Sequence, residues 1–379
     1  MRSIVDYLVV GSGLTGGTIA RLLTDAGREV LVLERRDHLG GNVHDSLHAS
    51  GIRVHTYGPH YFRCSSPKIW DFVQRFSTFY PYEAVVKSLV YGQYEAWPIH
   101  EGMFDRFPEW QKSRPAAPPT NFEEACLQRM PRPLYEAFIQ GYTRRQWGVD
   151  PSHLEASLAS RIRINQGPEL HLTPHCLHQG LPTLGYAHLM AQLLDRIPCV
   201  TGIDYLKHSA DYTARKALIF TGSLDEFFSF DAGRLGYRSQ KRVDDYLPDH
   251  QWHQPCAQVN HPDANETGAV RTLEWKHLMP PEQQPSLAGT VLTREYPYTP
   301  SSPEDFEYPM PTPQSAELYR NYRARAAAIP RLVVCGRLGA YRYFDMDQAI
   351  GHAMTIAGAL LEPEAQPTGV GTLRSDLAH

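Results

Sequence analysis

Three glycines and one carboxylate carry the first chemistry legible in this chain. Gly11, Gly13 and Gly16 stand in G-x-G-x-x-G spacing within VVGSGLTGG, with Leu14 inside the turn, and Glu34 follows 21 positions after Gly13. That spacing suits a dinucleotide. The first glycine permits a tight turn, the second lets backbone approach a pyrophosphate, and the third lets a helix pack on the preceding strand. The helix N-terminus then directs positive charge at the anion. An acid about 20 positions on grips the ribose hydroxyls and repels a 2′-phosphate, which favours FAD or NAD over NADP. These residues require a buried parallel strand over 4–10, a helix through 18–23 and a second strand over 30–33, and the apolar runs IVDYLVV and VLVL supply them.

Arg35, Arg36 and then Gly40-Gly41-Asn42 follow the acid directly. A second glycine pair at this place resembles the glutathione-reductase type of FAD domain, in which the loop runs beside the phosphates and ribityl chain. Residues 51–62, GIRVHTYGPHYF, read as a hairpin-like piece too polar for plain core. His60 and Tyr61 lie in it and are candidate cofactor contacts. His60 is either a surface histidine or a hydrogen-bond partner that tunes a flavin ring. Residues 67–76 follow as an amphipathic helix with Ile69, Trp70, Phe72, Val73 and Phe76 on one face.

Composition sets the outer bounds. A length of 379 residues implies two or more domains of roughly 100–200 residues each. With 42% hydrophobic and 21% charged residues, the chain has an ordinary globular composition. A net charge of −4 gives no support for a nucleic-acid surface. Six scattered cysteines without a C-x-x-C pair, and a first strand starting almost at Met1, point to a reducing cytoplasm and to no metal centre. No apolar run reaches the ~18 residues that span a bilayer.

Residues 80–99 turn to short strands, the Pro-rich tract 114–120 reads as a loop, and Asn121 caps a helix carrying Glu123 and Glu124. The helical insert that begins there runs into FIQGYTRRQWG, residues 138–148. Phe138, Tyr142 and Trp147 could either sandwich a nucleobase or pack the insert against the rest of the chain. This motif resembles that of the UDP-galactopyranose mutases, flavoenzymes that interconvert pyranose and furanose forms of a nucleotide sugar. The similarity extends in order through QGLPTLGYAHL, IFTGSLDEFF, GYRSQ, VRTLEWKH, REYP and GRLGAYRYFDMDQAI, reaching about Leu361.

The resemblance implies uridine stacking by Phe138 and Tyr142, with Trp147 near the sugar. It places Arg238 and Arg271 at the pocket, Arg271 on the diphosphate, with Tyr296 and Tyr343 bonding the same phosphates. A guanidinium and two phenols suit a pyrophosphate that must stay bound while the sugar rearranges. On the cofactor side it implies contacts from Thr221, Gly222, Arg337, Asp345, Met346, Gln348, Ala349 and Ile350. Residues 332–335 read as a strand, 336–337 as a turn and 345–361 as a helix with Ile350, Met354, Ile356 and Leu360 buried; the tail from 363 reads as disordered. The chemistry implied is attack of reduced FAD N5 on the anomeric carbon, with transient release of UDP. A cytoplasmic homodimer acting on UDP-galactose by default is implied as well.

Two features depart from the family. A mobile-loop arginine expected after the Trp-Gly pair is Asn165 here, with Arg161 and Arg163 nearby, and an asparagine expected after the first helix is Ala84. Both touch sugar and phosphate recognition rather than the flavin. The expected architecture is α/β: an FAD-binding Rossmann-like domain from segments 1–79, 181–230 and 311–362, a helical insert with short strands at 80–180, an antiparallel sheet at 231–310 and a tail at 363–379. Alternatives are a mutase for another UDP- or dTDP-sugar, an amine-oxidase-like FAD oxidoreductase, and a nucleotide-sugar binder without turnover.

Overall fold

The computed structural model describes residues 3–112, 114–168, 171–173, 175–263 and 268–362. The expected tail lies outside these residues. Five parallel strands form the dinucleotide-type sheet in the order Cys199–Val200, Val30–Leu33, Ser3–Val10, Tyr212–Phe220, Leu332–Val334. All four residues of Val30–Leu33 are buried, as befits a strand covered on both faces. The helix Leu14–Asp25 follows the first strand, with Gly13 as N-cap and no side chain occupying the cap. Segments far apart in sequence thus complete one sheet.

The C-terminal helix Met346–Leu361 closes this unit. Ile350, Ala353 and Ala357 are its buried residues, whereas Met354, Ile356 and Leu360 are only partly covered. Ala353 shares a core with Ile19, Ala20 and Leu23 of the first helix. Small residues at this face let the two helices approach closely, so the larger apolar side chains are displaced to its margins. The expected turn at 336–337 is a short helix, Gly336–Gly339.

A seven-stranded sheet forms the other wall of the molecule, in the order Tyr308–Pro309, Tyr237–Leu247, Thr290–Tyr298, Arg271–Glu274, Gln258–Asn260, Val86–Val90, Gln93–Trp97. All its pairings are antiparallel except that of Gln258–Asn260 with Val86–Val90. Residues 51–62 do not form a hairpin of their own. Arg53–His55 pairs with Asp45–Leu47, and Phe62–Cys64 pairs with His178–Pro182. His60 is therefore held between two small sheets.

The insert comprises Phe122–Leu127, Arg132–Tyr135, a π-helical turn Glu136–Gln140 and Gly141–Trp147. Asn121 caps the first of these, its side chain accepting from the Glu124 amide at 3.0 Å. Gly141 permits the approach to the sheet, because a Cβ there would lie 2.4 Å from the Pro262 carbonyl. Among the described residues, no helix is long and apolar enough to cross a membrane, and no group of three His, Cys, Asp or Glu is arranged to hold a metal.

Candidate active site

Two cavities meet in the cleft between the sheets. The first lies at the carboxyl ends of the parallel strands and is lined by Gly11, Gly13, Leu14, Gly16, Glu34, Arg35, Gly41, Asn42, Thr221, Gly222 and Ala349. The second is lined by the insert, the seven-stranded sheet and the segment 57–63. Asn42, His60, Arg337 and Met346 line both, so the two spaces adjoin at those four side chains.

The first cavity fits a dinucleotide. Gly11 has φ +102°, and a Cβ there would lie 2.0 Å from Thr221 Oγ1; a Cβ on Gly16 would lie 2.0 Å from the Gly11 carbonyl. Both glycines are demanded by the fold itself. Gly13 differs, since a Cβ there meets nothing nearer than 3.9 Å. Its missing side chain leaves room beside the uncapped helix N-terminus, where backbone amides attract a pyrophosphate. Glu34 is buried and oriented by its neighbours: Ser12 N and Oγ donate to Oε2 at 2.8 and 2.6 Å, and Arg36 N donates to Oε1 at 3.0 Å. A carboxylate oxygen accepts two hydrogen bonds, so Oε1 keeps a lone pair for a ribose hydroxyl. Arg35 is engaged by Glu226 at 2.9 Å.

His60 stands at the junction. Its Nδ1 is buried and has no partner among the described residues, and burial, with His55 and Arg337 nearby, pulls its pKa down to about 3. The imidazole is neutral at physiological pH. Its backbone is pinned on both sides, the His60 amide donating to His55 Nδ1 at 3.1 Å and Tyr186 Oη donating to the His60 carbonyl at 3.0 Å. Because His60 lines both cavities, it is among the residues that would meet a cofactor held in the first.

In the second cavity Phe138, Tyr142, Trp147, Arg161, Arg271 and Tyr343 all line the space. Arg161 and Arg337 place their guanidinium carbons 3.7 and 4.5 Å from the centre of the Tyr343 ring. The Tyr308 ring lies 6.3 Å from that of Tyr343 and within 10° of parallel. Burial pushes the Tyr308 phenol up to about 12, so it stays protonated and can donate. Among the described residues neither Arg161 nor Arg337 has a carboxylate partner. Arg271 does: its Nε donates to Glu295, which also accepts from Arg242 Nε at 3.0 Å, while Arg242 grips Glu307 with two bonds of 2.8 Å. Burial alone would lower the Arg271 pKa, but Glu295 outweighs it and holds Arg271 well above its usual value. The two cations most available to a diphosphate are thus Arg161 and Arg337.

Several expected contacts lie elsewhere. Glu295 pairs across the strands with Arg271, which lines the cavity, and so shares its face; alternation turns Tyr296 to the opposite face, and it does not line the cavity. Tyr308 occupies the place beside Tyr343 instead. Arg238 is buried behind Trp147, where its Nε donates to the Gln146 carbonyl at 2.8 Å and its Nη2 to the Arg145 carbonyl at 3.0 Å, satisfying the end of the helix Gly141–Trp147. Asn165 lies in a two-residue strand paired with Ile99–His100 and lines neither cavity. Ala84 is buried and its carbonyl accepts from the Leu172 amide at 2.7 Å, which brings Leu172 to the cavity wall.

On the cofactor side, Ile350 is core and lines neither cavity. Gln348 Oε1 accepts from the Asp345 amide at 3.0 Å and closes the start of the last helix. Tyr61 and Asp345 face the second cavity, Asp345 paired with Arg63 at 3.1 Å. Tyr308, Glu307, Gln258 and Asn260 also line this cavity, and no motif or spacing in the sequence marks them. Tyr308 sits on a two-residue edge strand and Gln258 on a three-residue one, lengths too short for periodicity to mark a face.

A family model for UDP-galactopyranose mutase matches residues 137–343, and one for an NAD(P)-binding Rossmann-like domain matches residues 9–76. A "Probable UDP-galactopyranose mutase" of Klebsiella pneumoniae is 32% identical over 379 residues, covering 95% of this chain and 96% of that protein. A "dTDP-fucopyranose mutase" of Escherichia coli is 29% identical over 373 residues, covering 92% and 97%. A crystal structure of reduced UDP-galactopyranose mutase shares the fold, with a TM-score of 0.70 at 14% identity, covering 95% of this chain and 94% of that one. With a family model over more than half of its length and a 32% identical relative spanning nearly all of it, this chain belongs to the UDP-galactopyranose mutase family.

Proposed function

We propose that the protein interconverts the pyranose and furanose forms of a nucleotide sugar, with reduced FAD in the first cavity and the nucleotide sugar in the second. The observation that carries this reading is the junction: a neutral, pinned His60 between a dinucleotide cradle and a cavity holding two guanidiniums that, among the described residues, have no carboxylate partner. UDP-galactose is the default substrate, and the relative named for dTDP-fucopyranose makes dTDP-sugars the second series to try.

The chain's own groups divide the work. Arg161, Arg337, Tyr308 and Tyr343 hold the diphosphate, and the two cations stabilise the negative charge that grows as it leaves the anomeric carbon. Tyr142 and Phe138 stack the base at the insert end. Among the described residues, the carboxylates that line the cavity are committed, Glu307 to Arg242 and Asp345 to Arg63, as is Glu295 behind Arg271, so none of them stands free as a nucleophile or base. Reduced flavin, when bound, supplies the nucleophile that these side chains lack. His60 would present an uncharged ring at the junction where that cofactor is held. Because the diphosphate returns to the same sugar, the cavity must retain it throughout, which the two arginines and two phenols gathered at Tyr343 suit.

The test is to incubate dithionite-reduced protein with a panel of UDP- and dTDP-sugars. Isomerised product without net use of reductant is expected. Turnover with oxidised flavin, or one reductant consumed per product, would overturn the reading in favour of an oxidoreductase.

A further inference from the structure

Tyr61 turns away from the cofactor side and joins a chain of hydrogen bonds on the sheet face of the second cavity. Tyr61 Oη donates to Gln258 Oε1 at 3.4 Å, and Gln258 Nε2 donates to Asn260 Oδ1 at 2.9 Å. Gln258 and Asn260 are both buried, and all three residues line the cavity. Being two apart on one strand, Gln258 and Asn260 share a face. The Tyr61 ring is fixed in turn by stacking on Tyr82, at 5.9 Å and 20°.

We infer that Tyr61, Gln258 and Asn260 form a directional shelf that selects the sugar by its ring hydroxyls, an inference that rests on the mutase reading above. The direction follows from the donors. Tyr61 spends its proton on Gln258 and presents lone pairs to the cavity; Gln258 has its Oε1 and one amide proton engaged; Asn260 has its oxygen engaged and keeps its NH₂ as donor. A ligand here meets an acceptor at one end and a donor at the other. Two neighbouring hydroxyls, one donating and one accepting, satisfy both, whereas a methylene in place of either leaves a buried polar group without a partner.

The shelf belongs to the sugar rather than to the base because of where it stands. Tyr61 follows His60, which lines both cavities, so the shelf begins at the cofactor junction. The aromatic residues that suit a base, Phe138 and Tyr142, come from the insert. Asn260 pairs across the strands with Arg271, so the shelf ends beside the buried ion-pair network. The shelf touches no phosphate ligand proposed above, so removing it leaves nucleotide binding in place.

The experiment measures dissociation constants of flavin-loaded protein for UDP, UDP-galactose and its monodeoxy derivatives at C2, C3, C4 and C6, in the wild type, Tyr61→Phe and Gln258→Val. Binding, not turnover, is read. In the wild type at least one deoxy derivative should bind about three- to tenfold more weakly than UDP-galactose, the scale of one lost hydrogen bond. In both variants that difference should fall below twofold, with UDP affinity and flavin content unchanged. A wild type indifferent to every deoxy derivative, or variants that keep the full discrimination, would overturn the shelf; so would parallel losses for UDP and all sugars. A wild type that does not bind UDP would defeat the nucleotide-sugar reading itself.

Discussion

The guanidinium of Arg161 lies 3.7 Å over the ring of Tyr343, and no carboxylate among the described residues is within ion-pair distance of it. An arginine held over a phenol ring keeps its charge and its N–H donors for an incoming anion. Arg161→Ala should therefore weaken UDP binding by about 1.5–3 kcal/mol, roughly ten- to hundredfold. Arg161→Lys should recover only part of this, because an ammonium cannot stack and donate in one plane. Calorimetric titration of flavin-loaded protein with UDP decides it, and equal affinity for all three proteins would remove Arg161 from the diphosphate site.

The two tyrosines of the Thr290–Pro309 region should behave differently. Tyr308 faces the cavity beside Tyr343, while Tyr296 lies on the other side of its strand. Tyr308→Phe should cost about 0.5–1.5 kcal/mol of UDP binding, the worth of one hydrogen bond, and Tyr296→Phe should leave affinity within about twofold. The reverse pattern would contradict the strand alternation argued above.

Tyr142 lines the cavity at the insert end, and burial raises its phenol pKa. Tyr142→Ala should weaken UDP by about 1–3 kcal/mol, as when a base loses its stacking partner, with flavin content unchanged. Unaltered affinity would make Tyr142 a packing residue.

Gly16 and Gly13 offer a contrast within one motif. A Cβ at Gly16 collides with backbone at 2.0 Å, so Gly16→Ala should give little soluble folded protein. At Gly13 the backbone is extended (φ −63°, ψ 177°) and a methyl meets only the Gly40 carbonyl at 3.9 Å. Gly13→Ala should fold and melt like the wild-type apoprotein yet lose its yellow colour. Visible absorbance after reconstitution with FAD reads this directly.

Stability should fall on the acid side. Burial pulls both His55 and His60 down to about 3, whereas in the unfolded chain each titrates near 6.5. Below pH ~6.5 the unfolded state binds protons that the folded state refuses until about pH 3. The two residues therefore destabilise the fold progressively as pH falls through that window and contribute no such loss above it. Each costs up to about 1.4 kcal/mol per pH unit there. Urea unfolding at pH 7.5 and 5.5 should show the drop, and His60→Asn should reduce it; an unchanged midpoint would mean that the imidazoles are hydrated.

Much of the fold was legible because it is local. The strand, turn and helix around Gly11, Gly13 and Gly16 follow from apolar runs and glycine spacing that close contacts enforce, and the structure forms Ser3–Val10, Leu14–Asp25 and Val30–Leu33 there. Asn121 as a helix cap is local in the same way. The last helix forms where its pattern predicts and buries Ile350 as expected, but Ala353 and Ala357 rather than Met354, Ile356 and Leu360 complete its buried face, because that choice depends on how closely another helix comes.

Spacing along the chain is enough to mark the glycine turn with its acid, the insert carrying Phe138 and Tyr142, and the family to which their order belongs. Which polar residues reach the second cavity depends instead on long-range packing. Tyr296 and Tyr308 are equivalent as residue types, and so are Arg238 and Arg161; nothing local separates them. Strand alternation hides Tyr296, a helix end consumes Arg238, and Glu295 engages Arg271, while Tyr308 and Arg161 converge on Tyr343 from segments nearly 150 positions apart. A side chain's role here depends on which charges and carbonyls lie within a few ångströms of it, and those neighbours are assigned by sheet register and helix docking rather than by spacing along the chain.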